Sequence, residues 1–405
     1  MSSPPADKLS EYRIVDVIRK ATMDTGEVFS DGKGRSRWQR FKAFWAKCWN
    51  LIWHGALYDS RVEFKALMMD AKLGDIKTLC NVYAVAVWNG DSKSVCFSNK
   101  PDSSLLEPNH VPQDAYVDAS HIPCWMLASY TSRIPFFFYV PVEIIKDNDG
   151  KFLNYGVYWV DGAIASMAPH ENYTHPHHVI VSVCDSLQVE PDKDLAGRTF
   201  KNNWKTRLPF FIGSLYSSKE ALWHMYSDKA LDQENNFLLN IRENQIKKLC
   251  EVPTMQLRGD WSPSWIDFSN HTKGIVDRHF EISYEWGKDW VKNNFTEEEK
   301  KIIAGYYKHY PDEASEEHQK IHQTGIAFTG GATLGYNQAP VHAAIWQMVL
   351  DTQVEYGLPL EPPFNSFSGN SVGAIQSMFF AWLQDMYYDF EGDGREKLVK
   401  MMERE

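Results

Sequence analysis

The stretch FNSFSGNSVGAIQSMFFAWL, residues 364–383, sets Ser371 between Gly369 and Gly373 where a strand-like run gives way to a helix-like one. Gly-x-Ser-x-Gly is the pattern of a nucleophile elbow, a sharp strand-to-helix turn that lifts a serine hydroxyl out of a sheet. The two glycines permit the turn. The amides and dipole of the helix that follows favour an anion there, which helps both serine ionisation and a developing oxyanion. Such a serine normally gives its proton to a histidine, which in α/β-hydrolases comes later in the chain. Here the last histidine is His342, so none follows Ser371. The base has to come from elsewhere.

Just upstream, GIAFT reads as a short apolar strand and Gly330-Gly331-Ala332-Thr333-Leu334-Gly335 as a glycine-rich turn. A phosphate loop would end Gly-Lys-Ser/Thr, whereas Tyr336 and Asn337 follow here, and a dinucleotide fingerprint fails on spacing. What remains is an oxyanion turn, flexible backbone N–H groups ahead of a helix. In that helix, Val341, Ile345, Met348 and Val349 share a face, with Pro340 expected in the first turn and Gly357 as the stop. After the elbow, Ile375, Phe379, Trp382 and Met386 form an apolar stripe. Strand, glycine turn and helix, twice over, imply an α/β fold with a largely parallel sheet.

The glycine turn and the elbow, in that order and spacing, resemble the opening of the patatin-like phospholipases. That family shows a G-G-G-x-x-G oxyanion turn, a helix, then G-x-S-x-G, and it uses a Ser–Asp dyad without histidine. Its aspartate lies in a D-G-G or D-G-A motif after a strand-rich stretch. Asp161-Gly162-Ala163 matches, preceded by YAVAVWN, ASYTSRIPFFFYVPV and YGVYWV, with Pro169 following. The order is inverted, because Asp161 precedes Ser371. The resemblance therefore implies a circularly permuted, three-layer patatin-like fold with extra helices. Residues 1–30 are a polar N-terminal segment holding a short helix over 11–21. Residues 31–310 form the aspartate-bearing half, including a helical region at 190–310. An acidic linker spans 311–322, and residues 323–405 form the half with turn and elbow. The resemblance spans 320–390 and 55–185, and thins over 190–310. Ala332 replaces the third glycine and Asn370 a small residue, and neither change removes a backbone donor.

The resemblance implies Ser371 as nucleophile and Asp161 as base; a carboxylate in a partly desolvated cleft can be raised in pKa enough for that work. Gly330, Gly331, Ala332 and Val372 would form the oxyanion hole. Gly335, Gly369, Gly373 and Gly162 would shape the turns. The implied substrate is a phospholipid or lysophospholipid, with no cofactor and no metal. Two other readings stand beside it, a retired scaffold that binds without catalysis and an esterase or acyltransferase on small soluble esters.

Composition narrows the partners. A net charge of −11 argues against nucleic acid. The six cysteines lack metal or C-x-x-C spacing and read as reduced, mostly buried thiols. Asp147 to Gly150 lacks the register of a calcium loop. His170, His175, His177 and His178 match no metal-ligand pattern, which favours a loop over zinc. The opening MSSPPADKLSEYR lacks the apolar core of a secretory signal, and no run reaches the roughly 18 apolar residues of a membrane span. The expectation is a cytoplasmic protein, or one delivered into a cytoplasm, whose sequons at Asn172, Asn270 and Asn294 stay unused. One segment suggests peripheral membrane contact. Residues 33–55 carry six basic and no acidic side chains among four tryptophans and two phenylalanines. Arg35, Arg37, Trp38, Arg40, Phe41, Trp45 and Trp49 are the contact candidates on an interfacial amphipathic helix. A helix packed in the core is the competing reading.

Overall fold

The computed structural model describes residues 12–29, 70–88, 91–101, 116–133, 158–162, 177–184, 248–252, 273–315, 323–330 and 335–403, with single residues at 45, 49, 64, 65 and 68. Among the described residues eight strands form one sheet: β1 (Leu79–Trp88), β2 (Asp91–Ser98), β3 (Tyr116–Asp118), β4 (Tyr158–Val160), β5 (His177–Cys184), β6 (Lys248–Val252), β7 (Gln323–Phe328) and β8 (Ser366–Asn370). The order is β3-β2-β1-β8-β7-β5-β6, with β4 also on β1. Five neighbouring strands, β1, β8, β7, β5 and β6, run parallel. The fold is α/β with a mostly parallel sheet. β1 and β2 close an antiparallel hairpin whose register pairs Trp88 with Asp91. The two intervening residues are Asn89-Gly90, a strong two-residue hairpin signal.

β7 and β8 sit at the centre of the sheet, between β1 and β5, so both sequence halves contribute to one sheet. Pairing puts Val82, Phe97, Phe367, Ile326 and Phe328 on a common face. Three helices lie against it: α2 (Cys124–Thr131), α6 (Gly335–Glu355) and α7 (Val372–Tyr387). Tyr130 of α2 lies 6.3 Å from Phe97, His342 of α6 5.4 Å from Phe328, and Phe380 of α7 5.6 Å from Phe328. Behind α6 pack α1 (Ile14–Phe29) and α3 (Lys273–Asn294), Gly287 of α3 allowing a close approach to Val341 and Ala344. Two short helices, α4 (Glu297–Ile303) and α5 (Tyr306–His309), follow α3, and α8 (Gly394–Met402) packs on α7 and touches α1. On the opposite face of the sheet, Ser98, Asn81, Ser368 and Ala327 form one row and are fully buried, so both faces are covered, as parallel sheets require.

Several local expectations change. The helix expected over 11–21 runs from Ile14 to Phe29, and Ile14, Val15, Val17 and Ile18 are buried in the core. Pro340 lies inside α6, because that helix starts at Gly335. Gly357 ends it with a positive φ of 63°, as a helix stop should. The region read as helical over 190–310 also contributes a strand, β6. ASYTSRIP stands among strand-like segments in the sequence, yet residues 124–131 are helix α2; a short run buried on most sides has no period that separates the two. On α7, Ile375, Phe379 and Trp382 are the less buried side chains, while Ala374, Ser377, Met378 and Ala381 face the core. Small residues there let the helix approach the sheet closely. Its far end is fixed by Asp385, which accepts the Thr78 hydroxyl at 2.7 Å and the Lys77 and Thr78 amides at 2.5 and 3.1 Å.

His342 lies among Phe328, Trp346, Phe364, Phe367 and Phe380, and neither ring nitrogen has a hydrogen-bond partner. Burial pushes its imidazole down to about 3, from an ordinary value near 6.5. The unfolded chain takes up this proton as pH falls below about 6.5, but the folded chain does not until about 3. Stability tied to His342 is therefore complete above pH 6.5 and is lost through that window, by about 1.4 kcal/mol per pH unit. Replacing it by phenylalanine (His342→Phe) should shrink the stability difference between pH 7 and pH 5 by about 2 kcal/mol, measured by urea unfolding at both values. An unchanged difference would contradict a neutral buried imidazole.

Candidate active site

The site follows from how β1 shares one edge. β8 pairs parallel with its first half, up to Tyr83 opposite Asn370. β4 pairs antiparallel with its second half, starting at Val85 opposite Val160. The two strands thus run toward each other along the same edge and stop on either side of Ala84. The next residues are Ser371 and Asp161. Ser371 Oγ donates to Asp161 Oδ2 at 2.6 Å, a short bond between residues 210 positions apart. Ser371 is 4% exposed and Asp161 3%.

Ser371 has φ 51° and ψ −131°, and it is the one described non-glycine residue with positive φ. Such backbone costs about 1–3 kcal/mol and persists only where its surroundings over-determine it. The glycines on either side show how. A Cβ on Gly369 would lie 2.2 Å from the Gly373 carbonyl oxygen, and one on Gly373 would lie 2.3 Å from the Phe328 carbonyl oxygen. Gly162, after the aspartate, presses on the Tyr83 carbonyl, where a Cβ would come within 2.1 Å, and also on Asn370. The Ser371 N–H donates to Thr131 Oγ1, and the Asp161 N–H to the Arg133 carbonyl.

Val372 opens α7, where first-turn amides have no acceptor within the helix. The carbonyls of Phe328 and Thr329 lie against Gly373, so the glycine turn that begins at Gly330 starts alongside the elbow. Gly335 opens α6. Gly331 and Ala332 lie outside the described residues, as do Arg35, Arg37, Trp38, Arg40, Phe41, His170 and His175. Trp45 and Trp49 are helical and 56% and 61% exposed, which disagrees with a packed-core reading at these two positions. His177 and His178 open strand β5 instead of lying in a loop. Among the described residues, no group of three histidine, cysteine or acidic side chains is gathered in metal-binding fashion. No described helix is long and apolar enough to cross a membrane. Cys80, Cys96 and Cys124 are buried; burial raises all three thiols, Cys96 and Cys124 to about 12.

Thr131 and Arg133 escaped the sequence reading. The only signal for them was their place in ASYTSRIP, ahead of the aspartate motif, and no pattern assigns a role to a threonine ending a helix. Comparison of the chain with family models, with curated proteins and with solved structures finds no match.

Replacing Gly162 by alanine tests the close approach. The added methyl group meets main chain, which cannot swing away, so the variant should lose about 1–3 kcal/mol in urea unfolding. Parent-like stability would show that β4 does not end against Tyr83.

Proposed function

We propose that the chain is a lipid acyl hydrolase of patatin type, acting on phospholipid or lysophospholipid esters through a Ser–Asp dyad. The observation that carries this reading is the 2.6 Å bond from Ser371 Oγ to Asp161 Oδ2 at a strand–helix elbow. Among the described residues, the base bonded to the Ser371 hydroxyl is a carboxylate, so the proton passes to Asp161. Ser371 Oγ attacks the ester carbonyl carbon while Asp161 takes the hydroxyl proton. The carbonyl oxygen becomes an oxyanion, received by the Val372 N–H and by amides of the glycine turn. Collapse of the tetrahedral intermediate breaks the ester bond, and Asp161 returns the proton to the departing alcohol. Water, deprotonated by Asp161, then attacks the acyl-enzyme and releases the fatty acid. Burial of both residues favours this chemistry, since each electrostatic contact is stronger away from water.

The same reading takes the fold as a permuted patatin domain. β7 and β8 follow the other six strands in sequence yet lie mid-sheet, an order that supports a permuted arrangement. Residues 33–55 would bring the enzyme to an anionic lipid surface, a role supported by the exposure of Trp45 and Trp49 and by the six basic side chains of that segment.

The test is fatty-acid release from a mixed panel of phospholipids, lysophospholipids and short-chain esters. Ser371→Ala and Asp161→Asn should each lower turnover by at least about a thousandfold while leaving the thermal transition close to the parent's. His178→Ala should leave turnover unchanged, and so should a chelator. Absence of release from every member of the panel would leave a binding scaffold as the better account.

A further inference from the structure

The end of α2 reaches both members of the dyad. Thr131 Oγ1 accepts the Ser371 N–H at 2.8 Å and donates its own proton to the Tyr83 carbonyl at 2.5 Å. Two residues on, the Arg133 carbonyl accepts the Asp161 N–H at 2.9 Å, and the Arg133 guanidinium donates to the Trp159 carbonyl at 3.0 Å. We infer that residues 131–133 form the positioning device of the dyad, with Thr131 as the residue that fixes the nucleophile; as a statement about rate, this rests on the Ser–Asp reading above.

The elbow creates the need. Ser371 leaves the β8 ladder after Asn370, so its N–H has no strand partner, and at 4% exposure it has little access to water. A buried amide without an acceptor is costly, and this one belongs to a residue already held in strained backbone. Thr131 supplies the acceptor. A hydroxyl has one proton, and here it is committed to Tyr83, so a lone pair is left facing Ser371. The β-branched side chain limits rotation about χ1 and keeps the oxygen in place. Thr131 is itself fully buried.

Local sequence explains why α2 stops where it does. The Ser132 N–H and hydroxyl both bond to the Ala128 carbonyl, at 3.1 and 2.6 Å, which closes the last turn. The chain then exits at Arg133 with its carbonyl toward Asp161. One helix end thereby references Ser371 and Asp161 to the same point on β1, the Tyr83 carbonyl. Because the Ser371 amide is occupied by Thr131, it is not offered to the oxyanion, in keeping with the proposal that the Val372 N–H and the glycine turn receive that charge.

The experiment compares Thr131→Val, which keeps shape and removes the acceptor, with Thr131→Ser, which restores it. Two readouts are taken on the full chain: kcat and KM on a short-chain ester, and hydrogen exchange of the Ser371 amide relative to that of Ile375 in α7. Thr131→Val should lower kcat about tenfold to a hundredfold with KM nearly unchanged, the scale expected for a misplaced nucleophile. It should also speed Ser371 exchange relative to Ile375. Thr131→Ser should recover most of both. Parent-like kcat and protection in Thr131→Val would overturn the inference, as would activity losses in both variants that only track a smaller folded fraction. If Thr131→Val does not fold, Thr131→Ala is read the same way. If the parent hydrolyses no ester, the proposed function falls, while amide exchange still decides whether Thr131 holds the elbow.

Discussion

The edge of β1 that carries β8 over residues 79–83 carries β4 over residues 85–87, and the two strands approach from opposite directions. A strand edge offers one row of hydrogen-bonding groups, so two partners on it must end where they meet. That geometric constraint places the first residue after each strand at a common point. Ser371 and Asp161 occupy those positions, and their 2.6 Å bond follows from strand register more than from any long-range attraction between the side chains. The Tyr83 carbonyl lies at this point too, with Gly162 packed on it and the Thr131 hydroxyl bonded to it.

Around that point the protein stores strain and then over-determines it. The positive φ of Ser371 is unfavourable in isolation. It is held by glycine contacts that tolerate no methyl group, by an acceptor for the serine amide, and by α7, which is fastened at its far end through Asp385 to the start of β1. The partners in these restraints, Phe328, Thr131 and Thr78, come from different parts of the chain. The elbow thus depends on the whole sheet and on α2, not on the local Gly-x-Ser-x-Gly sequence alone.

How much of this was legible in the sequence differs from one part to the next. The elbow announced itself, because glycine spacing, a short strand-like run and a helical stripe all fall between Phe364 and Met386. The α/β class was legible from the glycine-punctuated segments after residue 323, and the sheet is indeed mostly parallel. Asp161 was reachable only through a family resemblance, since Asp-Gly is also an ordinary turn; register along β1 is a three-dimensional property with no short-range trace. The stripe Ile375, Phe379, Trp382 misled because α7 is buried on most sides: Met378, Phe380 and Leu383 are buried as well, so apolar residues occur nearly all round the helix and one stripe does not mark the core face. The helix at 124–131 was missed for the related reason that a short, wholly buried segment has no amphipathic period. Thr131 was invisible: one threonine hydroxyl bridging two backbone groups leaves no pattern in a sequence.

The proposed activation of Ser371 by Asp161 can be read by covalent capture of the serine. The intact protein is treated with a fluorophosphonate, which phosphonylates activated serines, and the adduct is located by mass spectrometry of proteolytic peptides. A single adduct is expected on the peptide bearing Ser371, absent in Ser371→Ala and formed far more slowly in Asp161→Asn. An unlabelled parent, or labelling that proceeds at the same rate without Asp161, would contradict it.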